Sequence, residues 1–501
     1  HVFAKLKALN IEPSDGSTDE EFIRRTFLDA AGTLPTPAEV RTFLADQSTD
    51  KRTKLVDALL ERPEFVDYWT LILGDLLQNR KERDHDVRGV KNVREMHAWL
   101  RKQVAANRPW DELARGVLTA TGSATASPAI GYYVVTIGEH REAEKSEVAA
   151  SVAQAFLGTR IGCAQCHNHP LEKYTQDDFY HFAGFFSRVK LDRKESKAGT
   201  TMLKVSHPDP NQNKNPVGVR QPRTGEFVKA QPLDRTPTEI KPGEDPRQKL
   251  VAWMTAPANE YFAGAIVNRV WRHYLGTGLV EPVDDLRATN PPSNPALWKA
   301  LVGDFVAHKY DLKRLMRTIL TSRTYQLSST TRPGNETETR FYSHYYARRL
   351  PAEVMLDAIS QATGVPDRFP GYPLGIRAIQ LPDPGLNSYF LSLFGRSERV
   401  TACACERNGD VTMPQLLHLQ NGESVVQKIR SGDGRLAGWL KDCSDPDRLA
   451  DEMFLTTVGR LPTADERKAV TAALSAGDPK DEVFRDLFWA LLNSKTFAFN
   501  H

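Results

Sequence analysis

Thr18-Asp19-Glu20-Glu21-Phe22-Ile23-Arg24-Arg25-Thr26-Phe27-Leu28-Asp29-Ala30-Ala31-Gly32 reads as a complete helix in outline. Thr18 and Glu21 stand at capping-box spacing, where a hydroxyl and a carboxylate satisfy each other's otherwise unpaired backbone N–H groups. Phe22, Ile23, Phe27 and Ala30 recur at the helical period and predict one inward face. Gly32 closes the helix, and Thr36-Pro37-Ala38-Glu39 caps the next with Pro37 at its first position.

The same punctuation returns further on. Gly32-Thr33-Leu34-Pro35-Thr36-x-x-Glu39 reappears as Gly459-Arg460-Leu461-Pro462-Thr463-x-x-Glu466. Leu320-Thr321-Ser322-Arg323-Thr324-Tyr325 is echoed by Leu492-Asn493-Ser494-Lys495-Thr496-Phe497, and more loosely by Leu60-Glu61-Arg62-Pro63-Glu64-Phe65. The spacing of these echoes is irregular, which argues against a solenoid. Duplication of a helical hairpin accounts for them, with the trailing aromatic plugging a core. Thr175-Gln176-Asp177-Asp178 caps a helix with Phe179, Phe182, Ala183 and Phe186 on one face, and further helices are predicted near 51–61, 91–105, 111–119, 145–158, 246–256, 260–274, 295–307, 311–321 and 351–363, with six more between 413 and 493.

Between about 190 and 245 Lys, Pro, Asn and Gly rise and helical periodicity stops. Short alternating runs at 202–205, 217–220 and 227–228 flank Arg223-Thr224-Gly225 and predict a small hairpin. A second Pro/Gly-rich irregular stretch spans 365–412. The expected fold is mainly α, with two helical lobes. A helical domain at 1–190 precedes an irregular β-containing insert at 191–245, and a second helical domain fills 246–501.

A chain of 501 residues exceeds one ordinary core, and 40% hydrophobic with 26% charged residues is normal for a globular protein. The 66 basic and 63 acidic side chains leave +3, too little to suggest nucleic acid or an anionic membrane. No unbroken apolar run is long enough to span a bilayer, so no integral membrane segment is expected. The opening His1-Val2-Phe3-Ala4-Lys5 lacks the apolar core of a signal peptide, as expected of a mature or trimmed chain. Neither a nucleophile elbow nor an H-E-x-x-H is present, so hydrolase chemistry has no support and no enzyme class is assigned.

The chemistry concentrates in Gly162-Cys163-Ala164-Gln165-Cys166-His167-Asn168-His169-Pro170. C-x-x-C-H is the attachment spacing of c-type haem: two thiols reach two vinyl groups, and the adjacent imidazole meets the iron. On that reading Cys163 and Cys166 become thioethers and His167 the proximal ligand, its other ring nitrogen donating to a backbone carbonyl. His169 cannot reach the opposite face of the same haem. Three other readings stay open: a surface disulfide, a redox-active C-x-x-C, or zinc or non-haem iron held by Cys163, Cys166, His167 and His169. The parallel-sheet context of a thioredoxin-type pair is missing.

The sixth ligand decides between electron transfer and small-molecule chemistry, and its candidates are His273, Met413, Met202 and His181. The remaining cysteines are Cys403, Cys405 and Cys443, so at least one thiol is left over. Cys403 and Cys405 could form a short-loop disulfide, stay as thiols, or join Cys163 and Cys166 as four thiolates on a metal. Asp284, Asp285 and Arg287 could serve acid–base or cation chemistry, or pair with Arg269 and Arg272. Arg377, Asp383, Arg399, Glu406 and Arg407 crowd charge into the second irregular stretch.

These motifs resemble a known pair of families. Phe22-Ile23-Arg24-Arg25, Gly32-Thr33-Leu34-Pro35-Thr36-Pro37, Phe156-Leu157-Gly158, the C-x-x-C-H stretch and Thr175-Gln176-Asp177-Asp178-Phe179-Tyr180 resemble DUF1549, also called planctomycete cytochrome c type 2, over 1–190. From about 246 onward the chain resembles its companion, DUF1553. The matching motifs are Asn268-Arg269-Val270-Trp271-Arg272-His273, Gly278-Leu279-Val280-Glu281-Pro282-Val283-Asp284-Asp285, Asn290-Pro291-Pro292-Ser293, Arg349-Leu350, Gln380-Leu381-Pro382-Asp383 and Cys403-Ala404-Cys405-Glu406-Arg407. His273 heads the distal candidates because it sits in such a motif. The resemblance implies an exported protein, and no reaction is attached to either family.

The expected function is that of an extracytoplasmic, periplasmic c-type cytochrome-like protein with one covalent haem c. It would serve electron transfer or haem-based redox chemistry with a redox partner protein, the second lobe packing over the haem. The alternative is a non-haem metal-binding or structural protein of the cell envelope.

Overall fold

A computed structural model of the chain describes every residue except 82–86, 139–141, 144–146, 193–201, 206–216, 242 and 408–410. The opening helix forms over Asp19–Ala31, with Thr18 Oγ1 accepting from the Glu21 N–H at 3.2 Å and Glu21 accepting from the Thr18 N–H at 3.1 Å. Gly32 ends it in the left-handed region at φ 58°, and a Cβ there would meet the Tyr68 ring at 2.9 Å.

This helix is buried on every side, not on one face. Arg24, Arg25 and Asp29 are as enclosed as Phe22 and Phe27. Buried charge needs partners, and here they come from far along the chain. Arg25 donates to the carbonyls of Tyr325 at 2.6 Å, Leu327 at 2.8 Å and His501 at 3.0 Å. Arg24 donates to Thr496 O and Phe497 O. Asp29 accepts from Tyr325 and Tyr345 hydroxyls, both at 2.9 Å, and from Asn500 and Arg348. The repeated Ser-x-Thr-aromatic segments therefore converge on one helix, and their aromatics Tyr325 and Phe497 are fully buried.

The fold is mainly α, and the expected helices fall close to their predicted spans; Val2–Ala8, Pro63–Leu76 and Gly131–Ile137 are helices that the periodicity did not mark. They pack into two large cores, with a small third cluster of Ala265, Val280 and Leu286, and the border of the large ones differs from the composition break. One core runs from Val2 to Tyr345. It includes the helices Trp110–Leu118, Val148–Leu157 and Glu260–Leu275, joined where Trp110 stacks between Phe156 and Phe262 at 5.7 and 6.2 Å. The other gathers most of 350–498 with Leu28, Leu34, Tyr68 and Leu71.

The insert is β-containing and belongs to the first core. Val189–Asp192 and Met202–Val205 pair antiparallel, with Gly122–Ser123 on the far edge. Gly218–Arg220 and Phe227–Lys229 form the predicted hairpin. It docks on the helix Gln176–Ala183: a Cβ on Gly184 would lie 2.9 Å from Ala230 Cα, and Arg235 grips Asp178 at 2.8 Å. The described residues of 365–412 are irregular, broken by short turns of helix at Ala378–Gln380, Tyr389–Leu393 and Ala404–Glu406. Among the described residues, no helix is long and apolar enough to cross a membrane.

Candidate functional site

The helix Val148–Leu157 is buried almost throughout and ends at Gly158, φ 61°, where Leu286 crosses. A Cβ on Gly158 would stand 3.1 Å from Leu286 Cδ1, and the Leu286 N–H donates to Gly158 O at 2.7 Å. Ile161 is buried next, and a 3-10 turn follows over Gly162–Gln165. Ala164 points into the core while Cys163 and Cys166 stay exposed on either side of it.

The turn is held by its backbone. Tyr180 Oη and Gln176 Nε2 both donate to Gln165 O, at 3.1 and 3.0 Å. The Gln176 N–H reaches Asn168 Oδ1 at 3.0 Å, and the His169 N–H donates to Tyr174 O at 2.8 Å. Beneath it, Thr175 and Asp178 form the predicted capping box. The sulfurs themselves are unconstrained: Cys163 and Cys166 are free thiols, not bonded to each other.

His167 is exposed, and its Nδ1 lies 2.7 Å from Asn168 O. A carbonyl partner makes Nδ1 the protonated nitrogen and leaves Nε2 with a lone pair. Two free thiols three residues apart, beside an imidazole so oriented, fit the covalent attachment of haem. The residues fit a preformed ion site less well. Among the described residues, no group of three or more His, Cys, Asp or Glu is placed to hold a metal. The four-thiolate reading fails because Cys403 and Cys405 form a disulfide with each other.

His273 lies elsewhere. Its Nε2 is 2.8 Å from Asp29 O, and its ring sits among Tyr68, Trp69 and Tyr274 with centroids 4.9 to 5.6 Å away. Burial pushes its pKa down to about 4, with Arg348 and Arg407 adding to the effect, so the ring is neutral. It lines a cavity of about 190 Å³ with Trp69, Arg269, Cys403, Glu406 and Arg407, and residues 163–167 are not part of that lining. His181 is turned to Lys229 O through Nδ1 at 2.7 Å. Met413 is exposed at the start of the helix Met413–Asn421, and Met202 opens a strand.

Asp284 takes a different partner from those expected. Its buried carboxylate pairs with Arg160 at 2.6 Å and accepts from Gln154 at 2.5 Å. Arg269 donates to Gln154 O, Arg272 pairs with Glu281 at 3.3 Å, and Asp285 with Arg287 at 3.2 Å. The chain doubles back after Gly276, bringing Asp284 to the segment before the C-x-x-C-H turn, not to the helix it has just left.

That makes Arg160 the residue sequence reasoning missed. Partial burial works against its charge, but Asp284 outweighs this and raises its pKa, with Asp285 and Cys163 acting in the same sense. Its Nη2 also lies 3.7 Å from Cys403 Sγ. A cation three residues ahead of a cysteine was the available signal; its second sulfur partner, far along the chain, was not readable.

The charged loop of 377–407 is a clasp. Asp75 bridges Arg399 at 2.8 Å and Arg407 at 2.6 Å, and Arg407 also holds the buried Glu353 at 2.7 Å. Burial alone would raise Glu353, yet the Arg407 guanidinium holds it below the usual carboxylate range.

Residues 1–191 match the family described as a protein of unknown function, DUF1549 (PSCyt2), and residues 246–474 match a second, DUF1553 (PSD1). The chain is thus a DUF1549 region followed by a DUF1553 region. No curated protein and no solved structure matches it.

Proposed function

We propose that this protein is c-type cytochrome-like, holding one haem covalently through Cys163 and Cys166 with His167 as the proximal ligand. Its role would be electron transfer or haem-based redox chemistry. The observation that carries the reading is the pair of free, exposed thiols at C-x-x-C-H spacing beside an imidazole whose Nδ1 is already on a carbonyl. The PSCyt2 family match over the same residues supports it. Bound there, haem would supply one-electron exchange at iron.

The chain's own residues prepare that site. Ile161 and Ala164 anchor the turn in the core, and Tyr180 with Gln176 fixes Gln165 O, so the two sulfurs project from a settled backbone. Asn168 O orients the His167 ring through Nδ1. Haem is attached to such peptides outside the cytoplasmic membrane, so on this reading the protein works there with an extracytoplasmic redox protein as its partner.

Co-expression with a haem-attachment system, followed by denaturing purification, tests this. A reduced pyridine α-band that stays with the unfolded chain, and a mass gain of one haem on the peptide bearing Cys163 and Cys166, is the expected result. An unmodified peptide from cells that attach haem to a control cytochrome would overturn it.

A further inference from the structure

We propose that Cys403–Cys405 is a redox-active disulfide that accepts electrons from a dithiol, with Cys405 the sulfur attacked and Cys403 the leaving thiolate. Cys405 is exposed and Cys403 more recessed, so an incoming thiolate meets Cys405 first. Two donors converge on the other sulfur. Arg160 Nη2 is 3.7 Å from Cys403 Sγ, and the Cys405 N–H points to it at 3.2 Å. Both favour negative charge on Cys403, and a stabilised leaving thiolate speeds exchange.

The surroundings hold this arrangement in place. Arg160 is fixed by the buried Asp284 at 2.6 Å, so the cation cannot swing away when the sulfur bond opens. Glu406 accepts from the N–H groups of Val400 and Thr401 and from Ser397 Oγ, which keeps the turn folded without help from the disulfide. Ile266, Val270, Val283 and Ala402 line the adjoining cavity.

A purely structural role explains the bond poorly. Cross-linking stabilises mainly by shortening the unfolded chain's loops, and a bridge across one intervening residue removes little such freedom.

The exchange balances. One thiol of the dithiol, deprotonated, attacks Cys405 Sγ; the Cys403–Cys405 bond breaks, a mixed disulfide forms on Cys405, and Cys403 leaves as a thiolate facing Arg160. The second thiol loses its proton and attacks the reagent's own sulfur in the mixed disulfide. Cys405 is released as a thiolate and takes up a proton. Two electrons have passed from the dithiol, now a disulfide, to the protein. Residues 163–167 take no part, so the step stands apart from haem attachment.

The test uses the folded full-length protein and dithiothreitol, with quenched differential alkylation read by mass spectrometry on the peptide containing residues 403–405. Native reduction within minutes is expected. In the reduced protein, the pH profile of Cys403 alkylation should inflect below the ordinary thiol value of about 8.5. Arg160→Met should slow reduction roughly tenfold and move that inflection up, and Arg160→Lys should recover part of both. A disulfide that yields only in denaturant, an inflection at the ordinary thiol value, or Arg160→Met indistinguishable from wild type would each overturn the proposal. Should Arg160→Met fail to fold, the wild-type profile decides alone.

Discussion

The two cysteine turns of this protein are built on opposite plans. At 162–167 apolar anchors and neutral hydrogen bonds hold the backbone, while both sulfurs face solvent unpaired. At 403–407 the sulfurs are joined to each other and the segment is tied by ion pairs: Asp75 with Arg399 and Arg407, and Arg407 with the buried Glu353. The first turn leaves both thiols free and exposed. The second sits where the two cores meet, and its ionic clasp is part of what holds them together.

The sharpest way to break the contrast is Arg407→Met. It strands the buried Glu353 without its cation, and loss of one partner from a buried pair costs about 3–5 kcal/mol. Urea unfolding should show this, with Glu353→Gln in the same chain restoring part; a loss below about 1 kcal/mol would mean the clasp is ornamental.

His273 beside that clasp gives a pH signature of the second turn's surroundings alone. Its folded pKa, about 4, lies below the unfolded value of about 6.5, so the unfolded chain binds more protons between them. The contribution is whole above about pH 6.5 and is lost as pH falls through about 4, reaching about 3 kcal/mol. Asp357, pushed up to about 6 by burial, acts in the opposite sense, so the readout is the difference between wild type and His273→Asn. Urea midpoints at pH 7 and pH 4.5 should converge for the two proteins at the lower pH. Parallel curves would sink the argument.

The first turn should respond more mildly. Thr175→Ala removes the cap of the helix beneath the C-x-x-C-H and should cost about 1 kcal/mol in thermal or urea unfolding. Smallest of all, Cys163→Ser with Cys166→Ser should change the stability of the haem-free chain by no more than about 0.5 kcal/mol, since both side chains are exposed. The same double variant should abolish covalent haem. A large loss of stability there would place the thiols in the fold's own support.

Much of the architecture was readable in advance. Capping boxes at Thr18, Thr36, Thr175 and Thr463 stand where their spacing put them, because a cap is settled within four residues. The hairpin at 218–229 and the C-x-x-C-H turn were legible for the same reason. The partner of Asp284 was not, nor the placement of His273 away from the C-x-x-C-H turn. Each depends on which helices cross, and periodicity identifies an apolar face without saying what covers it.

The sequence by itself determined where most helices begin and end, though not Pro63–Leu76, where the chain turns irregular, and which cysteines stand at haem-attachment spacing. Only the tertiary structure decided that Asp19–Ala31 is enclosed on all sides, that 250–345 packs with the first core, and that Arg160 stands between two cysteine turns. Caps and turns are satisfied by neighbours in the chain. A buried guanidinium or carboxylate must instead find its counterpart wherever folding brings one, and for Arg24, Arg25 and Asp29 that was about three hundred residues away or more.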